Sequence, residues 1–250
     1  MRARWRELAR AVREAALGLI YPEACQACGA ARATAVEGYV CAECCRSLRF
    51  LRGPCCERCG LPFPGQMDTA FTCSNCRGAG LQFSRARSVI AAQGIALDLI
   101  HRYKYANARW VEPLLVRLLV EAAAPVLVRE GWDLLVPVPL HPLKQAEREF
   151  NQAERLARAL ARATGVPWDA GLVRRVEATR TQTRLSRKGR ADNVRGAFAA
   201  VPGRSCAGRR VALIDDVLTT GATTSACAGV LRRSGAVDVC VWTLARGLLH

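Results

Sequence analysis

The chain has 250 residues, 51% of them hydrophobic, and its 37 Lys and Arg against 21 Asp and Glu give a formal charge of +16. That length and composition allow one large domain or two smaller ones with a real interior, and exclude a disordered or fibrous chain. A field of this sign attracts nucleic acid, anionic membrane and phosphorylated ligands. The basic excess is nearly all Arg, and Ala is abundant, a bias that genome base composition also produces. The most apolar stretch, Pro113–Val128, is interrupted by Arg117 and Glu121 and is too short to span a bilayer. Arg6, Glu7, Arg10, Arg13 and Glu14 break up any signal-peptide core. The default expectation is a cytoplasmic, reducing location with no transmembrane segment.

In chain order, residues 1–22 form a first unit. Trp5, Leu8, Ala9, Val12, Ala16, Leu19 and Ile20 recur at a helical period among Arg and Glu, and Tyr21-Pro22 ends the pattern. This predicts an amphipathic helix that packs on its own protein or a partner. Residues 23–83 carry ten of the thirteen cysteines. Cys25-x2-Cys28 is followed by Cys41-x2-Cys44, and Cys56-x2-Cys59 by Cys73-x2-Cys76, one unit written twice. In a reducing compartment this spacing favours tetrahedral zinc held by four thiolates over disulfides, with each CxxC presenting two sulfurs on a tight knuckle. Gly29 and Gly60 follow the second Cys of their pairs, where such knuckles need positive φ. Two structural zinc ions are expected, with no open coordination position. Cys45 and Cys55 are left over, so a shifted or interleaved pairing is open.

From residue 84 to 250 cysteines become sparse and strand-like and helix-like periods alternate, which predicts an α/β domain with a parallel sheet flanked by helices. Arg87–Ala92 reads as a strand, Ala96–Tyr105 and Glu112–Arg129 as helices, and Leu134–Val136 as a buried strand. Pro137 and Pro139 end that strand in a rigid turn, a ligand-site position in open α/β sheets. His141, Lys144 and Arg148 follow, then a helix from about Asn151 to Thr164. Residues 172–198 are Arg-rich and lack apolar periodicity in the middle, which predicts a mobile loop able to close on an anion.

The segment 211–225 reads Val-Ala-Leu-Ile-Asp-Asp-Val-Leu-Thr-Thr-Gly-Ala-Thr-Thr-Ser. Val211–Ile214 suits a strand buried on both faces. Asp215 and Asp216 are expected just beyond its carboxyl end, as acceptors for sugar hydroxyls or ligands of Mg²⁺. Thr219, Thr220, Gly221, Ala222 and Thr223 offer hydroxyls, a close backbone approach and a helix N-terminus, a cradle for a phosphate. The helix runs from Ala222 to about Arg233, and Asp238–Leu244 is the last strand. No Ser/His/Asp or Cys/His constellation for nucleophilic catalysis is visible.

Residues 211–223 closely resemble the ribose-phosphate signature of type I phosphoribosyltransferases. With the paired CxxC units, Tyr103-Lys104-Tyr105, Val136-Pro137-Val138-Pro139-Leu140, Arg148-x-Phe150-Asn151-Gln152, Thr181-Gln182-Thr183 with Leu185, and Arg190-x2-Asn193-Val194-x-Gly196-Ala197-Phe198, the chain is similar to the ComF family. One departure is Glu149, where the family usually has Gly. The resemblance implies a type I phosphoribosyltransferase-like parallel sheet flanked by helices, preceded by a small Cys-rich zinc-ribbon domain. It implies binding of phosphoribosyl pyrophosphate (PRPP) with Mg²⁺: catalytic Asp215 and Asp216 on the ribose hydroxyls, Thr219–Thr223 on the 5′-phosphate, and Lys104 and Pro139 near the pyrophosphate. It further implies a role in natural competence, with single-stranded DNA and other DNA-uptake proteins as partners. Two alternatives are a phosphoribosyltransferase of nucleotide or cofactor salvage and a zinc-ribbon nucleic-acid binder with a vestigial transferase domain.

Overall fold

A computed structural model describes residue 5 and residues 23–63, 65, 70–177 and 196–248. The expected N-terminal helix and the centre of the Arg-rich segment, with Thr181, Gln182, Thr183, Leu185, Arg190, Asn193 and Val194, lie outside the described residues.

Four strands form one parallel sheet: β1 (Arg85–Ala91), β2 (Leu134–Pro137), β5 (Arg210–Leu218) and β6 (Asp238–Arg246), in the order β1-β6-β5-β2. Side chains alternate along each strand, and the two faces bury different sets. Ala212 and Ile214 of β5, with Cys240 and Trp242 of β6, face one core together with α2 (Gly94–Tyr105), α3 (Glu112–Arg129) and α5 (Gln152–Thr164). Val211, Leu213, Val239 and Val241 face a second core with α6 (Ala222–Arg233). Leu172, Val173, Ala197 and Phe198 join that second core. They belong to or flank β3 (Val173–Arg175) and β4 (Phe198–Ala200), an antiparallel pair. The two ends of the segment expected to be a mobile loop are therefore structured and buried. Their apolar residues are too few for a periodic signal, yet they pair across the intervening stretch.

The cysteine-rich region contains the short helix α1 (Ala42–Arg46) and otherwise turns. It packs directly on the sheet domain. Cys25, Val40, Cys41, Cys44 and Leu48 share the first core with α2 and α3. The linker between the two cysteine units runs antiparallel beside β1. The Leu51 N–H donates to the Val89 carbonyl and the Ala91 N–H to that of Arg49, at 2.9 and 2.8 Å, and Phe50 bridges to Ile90. Further along β1, the Ala86 N–H donates to the Arg58 carbonyl at 2.7 Å. At the opposite edge, Leu135 of β2 exchanges hydrogen bonds with Pro167 and Asp169. Both outer strands thus have free backbone groups met by non-strand chain.

Candidate functional site

The site exists because two neighbouring strands have different lengths. β2 pairs with β5 only as far as Pro137 opposite Ile214, and the Val138 N–H makes one further bond to the Ile214 carbonyl. The prolines then turn the chain away. β6 continues beside β5, pairing Asp215 with Thr243 and Leu218 with Arg246. Asp215 and Asp216 accordingly lie within β5, not beyond its end as the apolar run suggested. The strand continues past the acids because β6 still supplies hydrogen-bond partners on one side, while the side that β2 vacates becomes a cleft.

That cleft has a volume of about 520 Å³ and brings together Lys104, Pro139, Asp215, Asp216, Thr219 and Thr223, six of the predicted ligand residues. Thr220 and Ala222 instead line a separate cavity of about 310 Å³ on the other side of the loop. Gly221 sits between, with Phe83 packed beneath it. Its φ of +81° makes it the left-handed N-cap of α6, a conformation that favours glycine. The Thr224 hydroxyl donates to the Gly221 carbonyl at 3.1 Å. The first-turn N–H groups of a helix have no intrahelical partner and favour an anion, and those of α6 open beside this loop.

Lys104 reaches the cleft because its neighbour is anchored. Tyr103 is buried and its hydroxyl donates to Glu112 Oε2 at 3.0 Å, and Arg155 Nε donates to the same oxygen. The next residue on α2 therefore projects over β5, where Lys104 Nζ lies 2.8 Å from Asp216 Oδ1. Burial and the adjacent Asp216 carboxylate push Asp215 up to about 7, against the pull of Lys104, the Asp216 N–H and Arg175. Two acids thus share one wall of the cleft with a lysine.

Lys144, Arg148, Asn151 and Arg175 also line the cleft. Of these, sequence reasoning missed Arg175, which was hidden in the Arg-rich segment; its position in β3 places it opposite the acids. Asn151 holds the turn: its Nδ2 donates to the Val138 carbonyl at 3.1 Å and its Oδ1 accepts from the Ala153 N–H at 3.0 Å, capping α5. His141 is not a cleft residue. Its Nδ1 accepts from the Leu143 N–H at 3.3 Å and caps α4 (Pro142–Arg148). Glu149 ends α4 with φ +62°, and its carboxylate turns away to Asn107 at 3.0 Å. A glycine at 149 would relieve the left-handed backbone, so the departure at this position is local and leaves the cleft wall intact.

Each doubled cysteine unit closes on itself. The four sulfur atoms of Cys25, Cys28, Cys41 and Cys44 lie within 4.8 Å of one another, as do those of Cys56, Cys59, Cys73 and Cys76. The repeat extends to the backbone. The Cys41 N–H donates to Cys25 Sγ and the Cys73 N–H to Cys56 Sγ, both at 3.3 Å. Gly29 and Gly60 close the knuckles on the Cys25 and Cys56 carbonyls. Burial acts to raise Cys25, but the N–H groups of Cys41, Cys28 and Ala27 draw it down to about 6. Cys56 is held at about 7 by the same opposition. Sulfurs at these separations and N–H groups aimed at them fit tetrahedral zinc, which crosslinks the chain as a structural ion. Cys45 and Cys55 stand outside both sets; Cys45 Sγ lies 3.7 Å from the Val40 carbonyl.

Fold and site together define a class: a double zinc ribbon joined to a type I phosphoribosyltransferase-like domain. Residues 16–77 match the model of the double zinc ribbon domain. The chain is 33% identical over 213 residues to the DNA utilization protein YhgH of Salmonella typhimurium, covering 84% of this chain and 91% of that one. It is 40% identical over 152 residues to competence protein F of Haemophilus influenzae, covering 59% of this chain and 66% of that one. Competence protein ComFC of Bacillus subtilis is 26% identical over 215 residues, 83% of this chain and 84% of that one. The chain belongs to the ComF family. Among solved structures, the purine phosphoribosyltransferase of Pyrococcus horikoshii superimposes with a TM-score of 0.36 at 17% identity, covering 53% of this chain and 73% of that one.

Proposed function

We propose that this protein binds PRPP with Mg²⁺ in the β5 cleft and acts in the handling of DNA taken up during natural competence. The observation that carries the binding reading is the convergence of Asp215, Asp216, Thr219 and Thr223 with Lys104 and Pro139 on one cleft. The ribose hydroxyls donate to the two carboxylates, and Lys104 leaves the second oxygen of Asp216 for them. The 5′-phosphate sits at Thr219–Thr223, against the first N–H groups of α6. Lys144, Arg148 and Arg175 give the pyrophosphate a basic wall. Mg²⁺ fits beside the acid pair and would add charge neutralisation at the pyrophosphate. In a transfer, the bond from the anomeric carbon to pyrophosphate breaks and a nitrogen nucleophile takes its place, and the basic wall stabilises the growing negative charge.

The DNA part of the proposal rests on the names of the relatives and on the +16 charge, which suits contact with the phosphates of single-stranded DNA. Calorimetry with PRPP and Mg²⁺ tests the site. Wild type should bind, and Asp215→Asn and Asp216→Asn should each weaken binding about tenfold or more. Absence of binding by wild type removes the reading. Pyrophosphate release in the presence of a panel of nucleobases would convert it into the salvage-enzyme alternative.

A further inference from the structure

Arg246, at the end of β6, is 2% exposed. Its Nη1 donates to the carbonyls of Leu218 and Gly247 at 2.9 Å each, and to that of Thr219. Its Nε donates to the Cys59 carbonyl at 3.2 Å, and its Nη2 lies 3.7 Å from Cys59 Sγ. One guanidinium therefore joins the first residues of the phosphate loop to a ligand of the second cysteine cluster. Among the described residues no carboxylate forms an ion pair with Arg246. A buried cation without a counter-charge is costly. Four thiolates around one Zn²⁺ leave a net negative complex, and Cys59 brings that complex against the guanidinium. The second cluster thus supplies the charge that the arginine otherwise lacks.

A second set of contacts runs the same way. The chain leaving the second cluster passes under the loop, where Phe83 is fully buried and a Cβ at Gly221 would stand 3.5 Å from its ring. The Gln82 N–H donates to Ser225 Oγ at 3.0 Å, and Arg232 Nε donates to the Gln82 carbonyl at 2.7 Å. The first cluster makes its contacts with α2 and α3 instead, on the opposite face of the sheet.

We propose that zinc in the second cluster and the conformation of the phosphate loop are coupled through Arg246, so that the second zinc, and not the first, sets the loop's readiness to bind a phosphate. Arg246 is a positioning residue. The link is a property of the fold, while its effect on PRPP affinity rests on the function proposed above. Coupling of this kind is reciprocal.

The full-length chain tests it through matched variants, Cys28→Ser and Cys73→Ser, each removing one ligand from one cluster. Metal analysis verifies the loss of about one zinc in each. Hydrogen exchange in residues 217–224 is then read without ligand. Cys73→Ser should accelerate it about tenfold, Cys28→Ser should leave it unchanged, and Arg246→Met should accelerate it with both zinc ions still bound. Arg246→Lys, which keeps the charge but loses the fork, should behave like Arg246→Met. Loop exchange indifferent to Cys73→Ser, or equal in the two cysteine variants, overturns the proposal. If Arg246→Met does not fold, Arg246→Lys carries the test of the arginine, and the contrast between Cys73→Ser and Cys28→Ser carries that of the metal. PRPP titration forms a separate arm, in which Cys73→Ser and Arg246→Met weaken binding about tenfold. Failure of wild type to bind PRPP removes the proposed ligand, whereas the exchange data decide the link on their own.

Discussion

Asp215 holds its proton into the neutral range, and this has two measurable consequences. Its folded value of about 7 lies above the ordinary carboxylate value, so between the two the folded chain keeps a proton that the unfolded chain has released. This group therefore costs nothing at acid pH, where it is protonated in both states, and lowers stability progressively as pH rises towards 7. Binding of the proposed ligand should have the opposite slope, because the ionised acid is the better partner for ribose hydroxyls and Mg²⁺. PRPP affinity measured by calorimetry should rise between about pH 6 and about pH 8, and Asp215→Asn should flatten the profile. Lys104→Met should shift the rise to higher pH, since Lys104 is one of the groups that draws Asp215 down. At this scale the sequence brought forward residues that the fold gathers along one cleft and was silent about their protonation. The acid pair and the loop after it are legible as one unbroken stretch, but the partial burial of Asp215 and the 2.8 Å contact of Lys104 with Asp216 join positions far apart in the chain.

Among the elements, those with a long period were read closely and those made by contact were not. The helix at Glu112–Arg129 and the one from Ala222 to Arg233 have the predicted limits, because each carries its own apolar stripe. β5 proved longer than its apolar run, since its last residues are held by β6 and not by their own hydrophobicity. α4 and the β3–β4 pair were missed because both are short, and the two strands find each other only across a long intervening stretch. The turn that shapes the cleft depends on Asn151, which caps α5 and ties down Val138 together. Asn151→Ala should cost about 1–2 kcal/mol in urea unfolding and weaken PRPP binding as well. Gly60 shows how the second ribbon is seated. It has φ +64°, and a Cβ there would lie 2.7 Å from the Ala86 carbonyl of β1. Gly60→Ala should destabilise by about 1–3 kcal/mol, again by urea unfolding, with the zinc-free chain less affected than the zinc-loaded one.

For the molecule as a whole, the first cysteine cluster shares a core with the helices of the sheet domain, and the second is tied to the sheet by hydrogen bonds from Ala86 and Arg246. Metal analysis of the intact chain should give about two zinc ions. Binding of single-stranded DNA, measured by anisotropy, should weaken steeply between about 50 mM and about 200 mM salt if the +16 charge contacts phosphates. The linker that lies along β1 extends the role of zinc beyond either site. Arg49–Leu51 runs between the two clusters, and Arg58 belongs to the second, so zinc bound in the clusters would fix the ends of the cover over the outer strand. Stripped of zinc, β1 would present a bare row of amide and carbonyl groups, the geometry by which strands of separate molecules add to one another. The expected fate of the metal-starved protein is therefore aggregation, visible as rising light scattering on chelation and suppressed by early return of zinc. Metal supply would then govern how much of this protein stays monodisperse.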